Sequence, residues 1–387
     1  GPNTVVVKNI LVGEVWLAAG QSNMEYSVRL SHNAEQEIAQ ANYPKLRFFD
    51  AQRSFSDTAK TDIAGRWVLC SPETVAEMTA TGYAFARGLH QHLNVPVGLI
   101  DVSWGATRCE AWTPASVFEA DPRLSFWTTK WEQHLRGFPR LQAAYLQQQD
   151  TWKAAAEKAR LAGETPPRAP KAPELKTKFE PSVIYNGIVA PLSRYTIRGV
   201  VWYQGENNCG KRDRRYAEKF QVMVNGWRTA FEAPQAPFYC VLLAPHIYSD
   251  RKHNNKTYPV TAEDLPIFRE QQKKGVNLVE NCEYIVVSDL VDQLTDIHPP
   301  YKWEVGSRLA RLALAKTYGF STIVWSGPRI SHVETVADSL IVTFDHCAKG
   351  LKTNDNKRIS WFEVAAKDGV FRPAFAEIKG KNQLVVY

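Results

Sequence analysis

The sequence predicts an α/β fold built on a parallel β-sheet, followed by a smaller β-rich region. Three observations predict it. Five short runs rich in β-branched or aromatic residues, at 15–19, 97–102, 199–203, 238–243 and 284–288, read as buried strands. Stretches with helical periodicity lie between them. After Gly319 this alternation gives way to short strand-like segments alone. Strands that alternate with helices form βαβ units, and those units build parallel sheets.

The first strand lies in "EVWLAAGQSNMEY", residues 14–26, and stops at Gly20. Residues 74–93 place Val75, Met78, Gly82, Phe85, Leu89 and Leu93 on one helical face. The strand at 97–102 runs into "SWGAT", 103–107. A long polar stretch rich in Ala and Gln, 131–162, continues into the Pro-rich "GETPPRAPKAPELK". Residues 131–178 are therefore read as a surface helical insertion. The strand at 199–203 runs into "YQGENN", and helical patterns follow at 216–231 and 302–318. The strand at 284–288 leads to "TDIHPP", 295–300. Beyond it, short strands are expected at 339–344, 359–364, 370–374 and 383–386, with a turn at Lys367-Asp368-Gly369. The expected organisation is one large domain over 1–320 and a β-rich region over 321–387. Gly1-Pro2 reads as the scar of a cleaved tag, and the chain stops on a strand-like run, so further sequence is expected at both ends.

Composition narrows the function. The 387 residues are 44% apolar, enough for a sizeable core. The 12 Trp and 15 Tyr suit either a carbohydrate cleft or the core. A net charge of +7, spread along the chain, argues against a nucleic-acid partner. No run approaches the roughly 18 apolar residues of a membrane span. The six Cys form no CxxC pair and no metal-ligand spacing, so buried thiols are expected and a zinc site is not.

In an open parallel sheet, ligands bind beyond the carboxyl ends of the strands. Four polar, Gly-containing motifs follow the predicted strands and are expected to converge there. Singly they are weak signals: Ser22 also suits a helix cap, Gly105 a turn, and His298 a structural role. Together they fit acyl transfer. Ser22 is the candidate nucleophile and His298 the base within hydrogen-bond reach. Asp296 is the nearest acid to orient the imidazole. The backbone N–H groups of Ser22 and Gly105, with the side-chain amide of Gln204 or Asn207, are candidate oxyanion donors.

These residues resemble the SGNH hydrolase superfamily, and within it the sequence is similar to the sialate O-acetylesterase family of carbohydrate esterases. The resemblance rests on "VGEVWLAAGQSNME", "GLIDVSWGATRCEAWTP", "PSVIYNGIVAPL", "IRGVVWYQGENN", "DIHPPYKWEVGSRLA" and "WSGP", in matching order from about residue 10 to 330. It implies a flavodoxin-like three-layer α/β sandwich and hydrolysis of O-acetyl groups on sugars by Ser22, His298 and Gly105, without metal or cofactor. It also implies a secreted or periplasmic setting. The chain departs from the superfamily in one respect: the acid expected three residues before the His is Thr295 here, and Asp296 stands at minus two. Either Asp296 bends back to the ring or a backbone carbonyl orients it, leaving a Ser–His dyad; Asp289 and Asp292 are more remote alternatives. For the third oxyanion donor, Gln204 is slightly preferred over Asn207 because it lies nearer the strand end.

Gln21, Asn23, Trp104, Glu206 and Asn208 are the expected substrate-side residues, with Arg269 and Gln272 in "IFREQQ". Arg269 and Arg108 are candidates for a sialic acid carboxylate, although Arg269 also suits an ion pair with Glu263 or Asp264. Sialic acid is the favoured parent sugar. Acetylated xylan or another glycan is the alternative. A non-catalytic carbohydrate-binding protein would not need a nucleophile beside a base, and a lipase would need an apolar acyl pocket.

Overall fold

The computed structural model describes residues 4, 6–173, 177–250, 259–353 and 355–387. The Gly1-Pro2 start and residues 174–176 of the Pro-rich stretch lie outside them. The chain divides into two compact units, 1–310 and 311–387.

The first unit is built on seven strands: β1 (Glu14–Gly20), β2 (Tyr43–Ala51), β3 (Gly65–Cys70), β4 (Val97–Asp101), β5 (Gly199–Tyr203), β6 (Phe238–Val241) and β7 (Cys282–Ile285). Their order is β3-β2-β4-β1-β5-β6-β7, and every pair is parallel except β2 with β3. Without the β2–β3 hairpin, the order β4-β1-β5-β6-β7 is the 2-1-3-4-5 order of a flavodoxin-like sheet. The helices are α1 (Ser22–Glu25), α2 (Ala34–Gln40), α3 (Ala80–Leu93), α4 (Ala115–Ala120), α5 (Ser125–Leu161), α6 (Ala190–Leu192), α7 (Glu206–Cys209), α8 (Tyr216–Ala230), α9 (Asp264–Asn277) and α10 (Lys302–Lys316).

β5 is buried along its whole length, as a strand covered on both faces must be. On one face Trp16 packs edge-on against Phe85 of α3, ring centres 5.1 Å apart. Gly88 of α3 lies against Ala310, and Gly306 of α10 against Ala84. On the other face Leu17 and Ala19 join a core containing Met223, Val224 and Trp227 of α8. Here Trp112, Trp202 and Trp227 pack within 6.4 Å of one another. These Trp residues are core, and Trp104 is the one that reaches the cavity described below.

The α/β reading holds, with corrections at the edges. β2 and β3 were not expected; "YPKLRFFDA" leaves Pro44 and Lys45 exposed, which masks its apolar pattern. The helix expected at 74–93 begins at Ala80, because Met78 is extended and Thr79 caps the helix, its hydroxyl accepting from Gly82 N–H at 3.1 Å. The polar helix runs over Ser125–Leu161, beginning before residue 131. The second unit carries a five-stranded antiparallel sheet of β8 (Arg329–Val336), β9 (Ser339–Asp345), β10 (Ile359–Ala365), β11 (Phe371–Lys379) and β12 (Gln383–Val386), ordered β10-β11-β12-β9-β8. β8 was not expected; it is almost wholly exposed and so lacks an apolar run. All six cysteines are thiols. Among the described residues, no helix is long and apolar enough to cross a membrane.

Gly20 ends β1 at φ +140, and a Cβ there would fall on the Tyr203 carbonyl. Gly20→Ala is expected to lower stability by roughly 1–3 kcal/mol. Urea unfolding of the variant within about 0.5 kcal/mol of the parent would contradict this account of the β1–β5 junction.

Candidate active site

β1 and β5 are the strands at which the order of the sheet reverses, and both end in polar turns. The Gln21 N–H donates to the Tyr203 carbonyl at 3.0 Å, and Gln21 Oε1 accepts from Gln204 Nε2 at 3.1 Å and Gly205 N–H at 3.2 Å. This fastens the two turns together and puts Ser22 at the first position of α1. The Trp104 N–H donates to the Gly20 carbonyl at 3.0 Å, which draws in the turn after β4. That turn includes Ala106 at φ +61, a strained conformation for a residue with a side chain.

His298 arrives on the loop after β7. Its Nε2 lies 2.8 Å from Ser22 Oγ. Tyr26 stacks on the imidazole, ring centres 6.1 Å apart. Asp296 Oδ1 accepts from the His298 backbone N–H at 2.8 Å, so the carboxylate caps the loop that carries the ring. The remoter acids are engaged elsewhere. Asp289 is paired with Arg308 at 2.5 Å, which holds its carboxyl below the usual range, and Asp292 accepts from Tyr301.

A cavity of about 500 Å³ opens over this pair. Of the residues expected from the sequence, Gln21, Ser22, Trp104, Gly105, Glu206, Asn207 and His298 line it. Six others do not line it. Gln204 is fully buried and gives its amide to Gln21, to the Thr107 carbonyl at 3.1 Å and to Asn208 at 2.8 Å. It is a brace, and of the two candidate donors Asn207 is the one that lines the cavity. Asn208 bonds Glu110 and Asp213, which also hold the buried Lys219. Asn23 lies behind Ser22, on Glu206. Gln272 spans the Leu243 N–H and the Gln204 carbonyl. Arg269 donates to the Leu243 carbonyl at 2.8 Å, while Asp264 pairs with Arg212 and Arg214. Arg108 donates to the Phe179 carbonyl at 3.1 Å. Neither arginine lines the cavity.

The cavity holds groups that sequence reasoning missed. Glu25 lines it, accepts from the Gly105 N–H and pairs with Arg53 at 2.6 Å. Lys178 also lines it, with Nζ 2.6 Å from the Gly105 carbonyl and 5.2 Å from the centre of the Trp104 ring. Burial pulls the Lys178 ammonium below its usual range, opposed by Glu25. Lys302 is buried behind Ser22, and burial pushes its ammonium down to about 7. "SNMEY" did place Glu25 three residues after Ser22, on the same helical turn, but charged residues such as Arg53 and Lys178 carry no periodic signal. Among the described residues, no group of three or more His, Cys, Asp or Glu side chains is placed to hold a metal ion.

Comparison with known proteins decides the family. A profile described as carbohydrate esterase, sialic acid-specific acetylesterase matches residues 12–138 and 176–315. The chain belongs to this family of carbohydrate esterases. It is 28% identical over 388 residues to the sialate O-acetylesterase of Rattus norvegicus, covering 94% of this chain and 67% of that protein. To the sialate O-acetylesterase of Mus musculus it is 27% identical, covering 94% of this chain and 66% of that protein. The chain thus spans about two thirds of the length of these relatives. The crystal structure of a carbohydrate acetylesterase from Xanthomonas citri matches with a TM-score of 0.76 at 28% identity, over 97% of this chain and 73% of that one.

If Gln204 is a brace, Gln204→Leu leaves the Thr107 carbonyl without its donor and is expected to cost roughly 1–3 kcal/mol. Denaturant unfolding unchanged from the parent would contradict that role.

Proposed function

We propose that this carbohydrate esterase removes O-acetyl groups from sugars, with acetylated sialic acid as its first substrate class, using Ser22 as nucleophile and His298 as base. The observation that carries this reading is the 2.8 Å approach of His298 Nε2 to Ser22 Oγ on the floor of the cavity. With Nε2 unprotonated, His298 takes the hydroxyl proton as Ser22 Oγ attacks the acetyl carbonyl. Negative charge then develops on the former carbonyl oxygen. The backbone N–H groups of Ser22 and Gly105 and the Asn207 amide are the donors for it. Glu25 holds the Gly105 N–H in the free protein and must yield it to the acyl oxygen; Arg53 keeps the displaced carboxylate paired. Collapse returns the proton from His298 to the departing sugar oxygen and leaves an acetyl ester on Ser22. Water, deprotonated by the same imidazole, then attacks the acetyl ester, and acetate leaves as His298 returns that proton to Ser22 Oγ.

Asp296 is the acid assigned to orient the His298 imidazole through its charge, and the loop it caps keeps the two residues together. Lys178 and Arg53 supply positive charge where a sialic acid carboxylate would bind, the part given on sequence grounds to Arg269 and Arg108. Trp104 offers an aromatic face beside them. A secreted or periplasmic setting accords with such a substrate.

Ser22→Ala is expected to cut acetate release by about 10³ or more with the fold intact. Turnover within about tenfold of the parent, measured on O-acetylated sialic acid and on acetylated xylan, would sink the assignment. Release from xylan alone would keep Ser22 and move the substrate to a plant glycan. Asp296→Asn keeps an acceptor for the His298 amide and removes the charge. It is expected to lower kcat by about 10³ or more, whereas a loss under about tenfold would mean that the backbone holds the imidazole and the pair works as a dyad.

A further inference from the structure

Lys302 lies directly behind the reacting pair, and the acyl-transfer reading gives it no part. It is 1% exposed. Its Nζ donates to Asn23 Oδ1 at 2.8 Å and to the Pro299 carbonyl at 2.6 Å. Asn23 in turn donates through Nδ2 to the Ile297 carbonyl at 2.9 Å and to Glu206 Oε1 at 2.5 Å. Asn23 follows Ser22 in the chain, and Ile297 and Pro299 flank His298. One ammonium and one carboxamide therefore tie both neighbours of the base to the neighbour of the nucleophile. The rings of Tyr26 and Tyr203, centred 4.8 and 5.7 Å from Nζ, close other sides of the ammonium.

An ammonium held in such a place is costly, and a methionine of similar length would fill the space without that cost. Burial disfavours the charge, while Glu206 and Asp296 favour it. Costly polar groups of this kind concentrate at functional sites.

We propose that Lys302 is a positioning residue for acyl transfer, fixing the His298 loop against Ser22 through Asn23 and the Pro299 carbonyl. The proposal rests on the reading of Ser22 and His298 as nucleophile and base. Lys302 acts through its neighbours and has no contact with the acetyl group. Its loss should slow every step that needs the 2.8 Å Ser22–His298 approach and leave binding of a small ester unchanged.

Lys302→Met and Lys302→Gln, checked for folding by circular dichroism, test this against the parent. The readouts are the rate at which a fluorophosphonate labels Ser22, and kcat and KM for p-nitrophenyl acetate. Labelling rate and kcat are expected to fall together by about 100-fold, the size of an ångström-scale misplacement, with KM within about threefold. Labelling and kcat within about threefold of the parent in either folded variant, or a rise in KM alone, would overturn the proposal. Asn23→Ala cuts the same tie from the α1 side and carries the same expectation, so the test survives if both Lys302 variants fail to fold. A parent enzyme that is not labelled at Ser22 would sink the nucleophile reading and the proposal with it. A labelled parent with equally labelled variants would sink the proposal alone.

Discussion

The pairing of β1 with β5 sets Gly20 beside Tyr203, with the Gln21 N–H on the Tyr203 carbonyl at 3.0 Å. At this contact two parallel strands end side by side, and a short helix follows each. Only a glycine at Gly20 lets the backbone come so near the Tyr203 carbonyl. From there Ser22 is lifted onto the first position of α1, and Glu206 and Asn207 are brought to the same cavity from β5. A slip of one residue in this register would turn every following side chain to the opposite face.

Behind the cavity, buried polar side chains do what apolar packing cannot. Gln204, Asn208, Glu110 and Lys219 form one connected set under the turn after β5, each with partners. Asn23, Glu206 and Lys302 form another under Ser22 and His298. Polar groups buried in this way are costly unless satisfied, and once satisfied they permit a single arrangement. That selectivity suits a site whose reacting atoms must stay within hydrogen-bond distance before substrate arrives. The front of the cavity is different in kind. Glu25, Arg53 and Lys178 are long, partly exposed side chains that can rearrange around a ligand.

Much of this was legible in the sequence, and what was not has physical causes. β1 and β5 were readable because strands buried on both faces become continuous apolar runs. β2 and β8 were not, because exposure on an edge or one face breaks such runs. The four motifs were readable as polar turns following apolar strands. Which side chain of each motif faces the cavity was not. In "QGENN" the chain enters α7 at Glu206, so that Gln204 and Asn208 turn inward, Glu206 is buried in the cavity wall against Asn23, and Asn207 faces the cavity. That alternation depends on a helix start that no sequence pattern marked. Arg269 and Arg108 were plausible for their charge, but each is held by a backbone carbonyl away from the cavity. Lys302 sat unremarked at the start of an amphipathic helix, where a lysine ordinarily reads as solvated.

The central claim is that Ser22 carries the acyl group. Mass spectrometry of the protein quenched during turnover of p-nitrophenyl acetate tests it most directly. The account predicts an acetyl group on the peptide bearing Ser22, lost on further incubation and absent from Ser22→Ala. Acetate released with the acetyl group on another residue, or at an undiminished rate by Ser22→Ala, would contradict it.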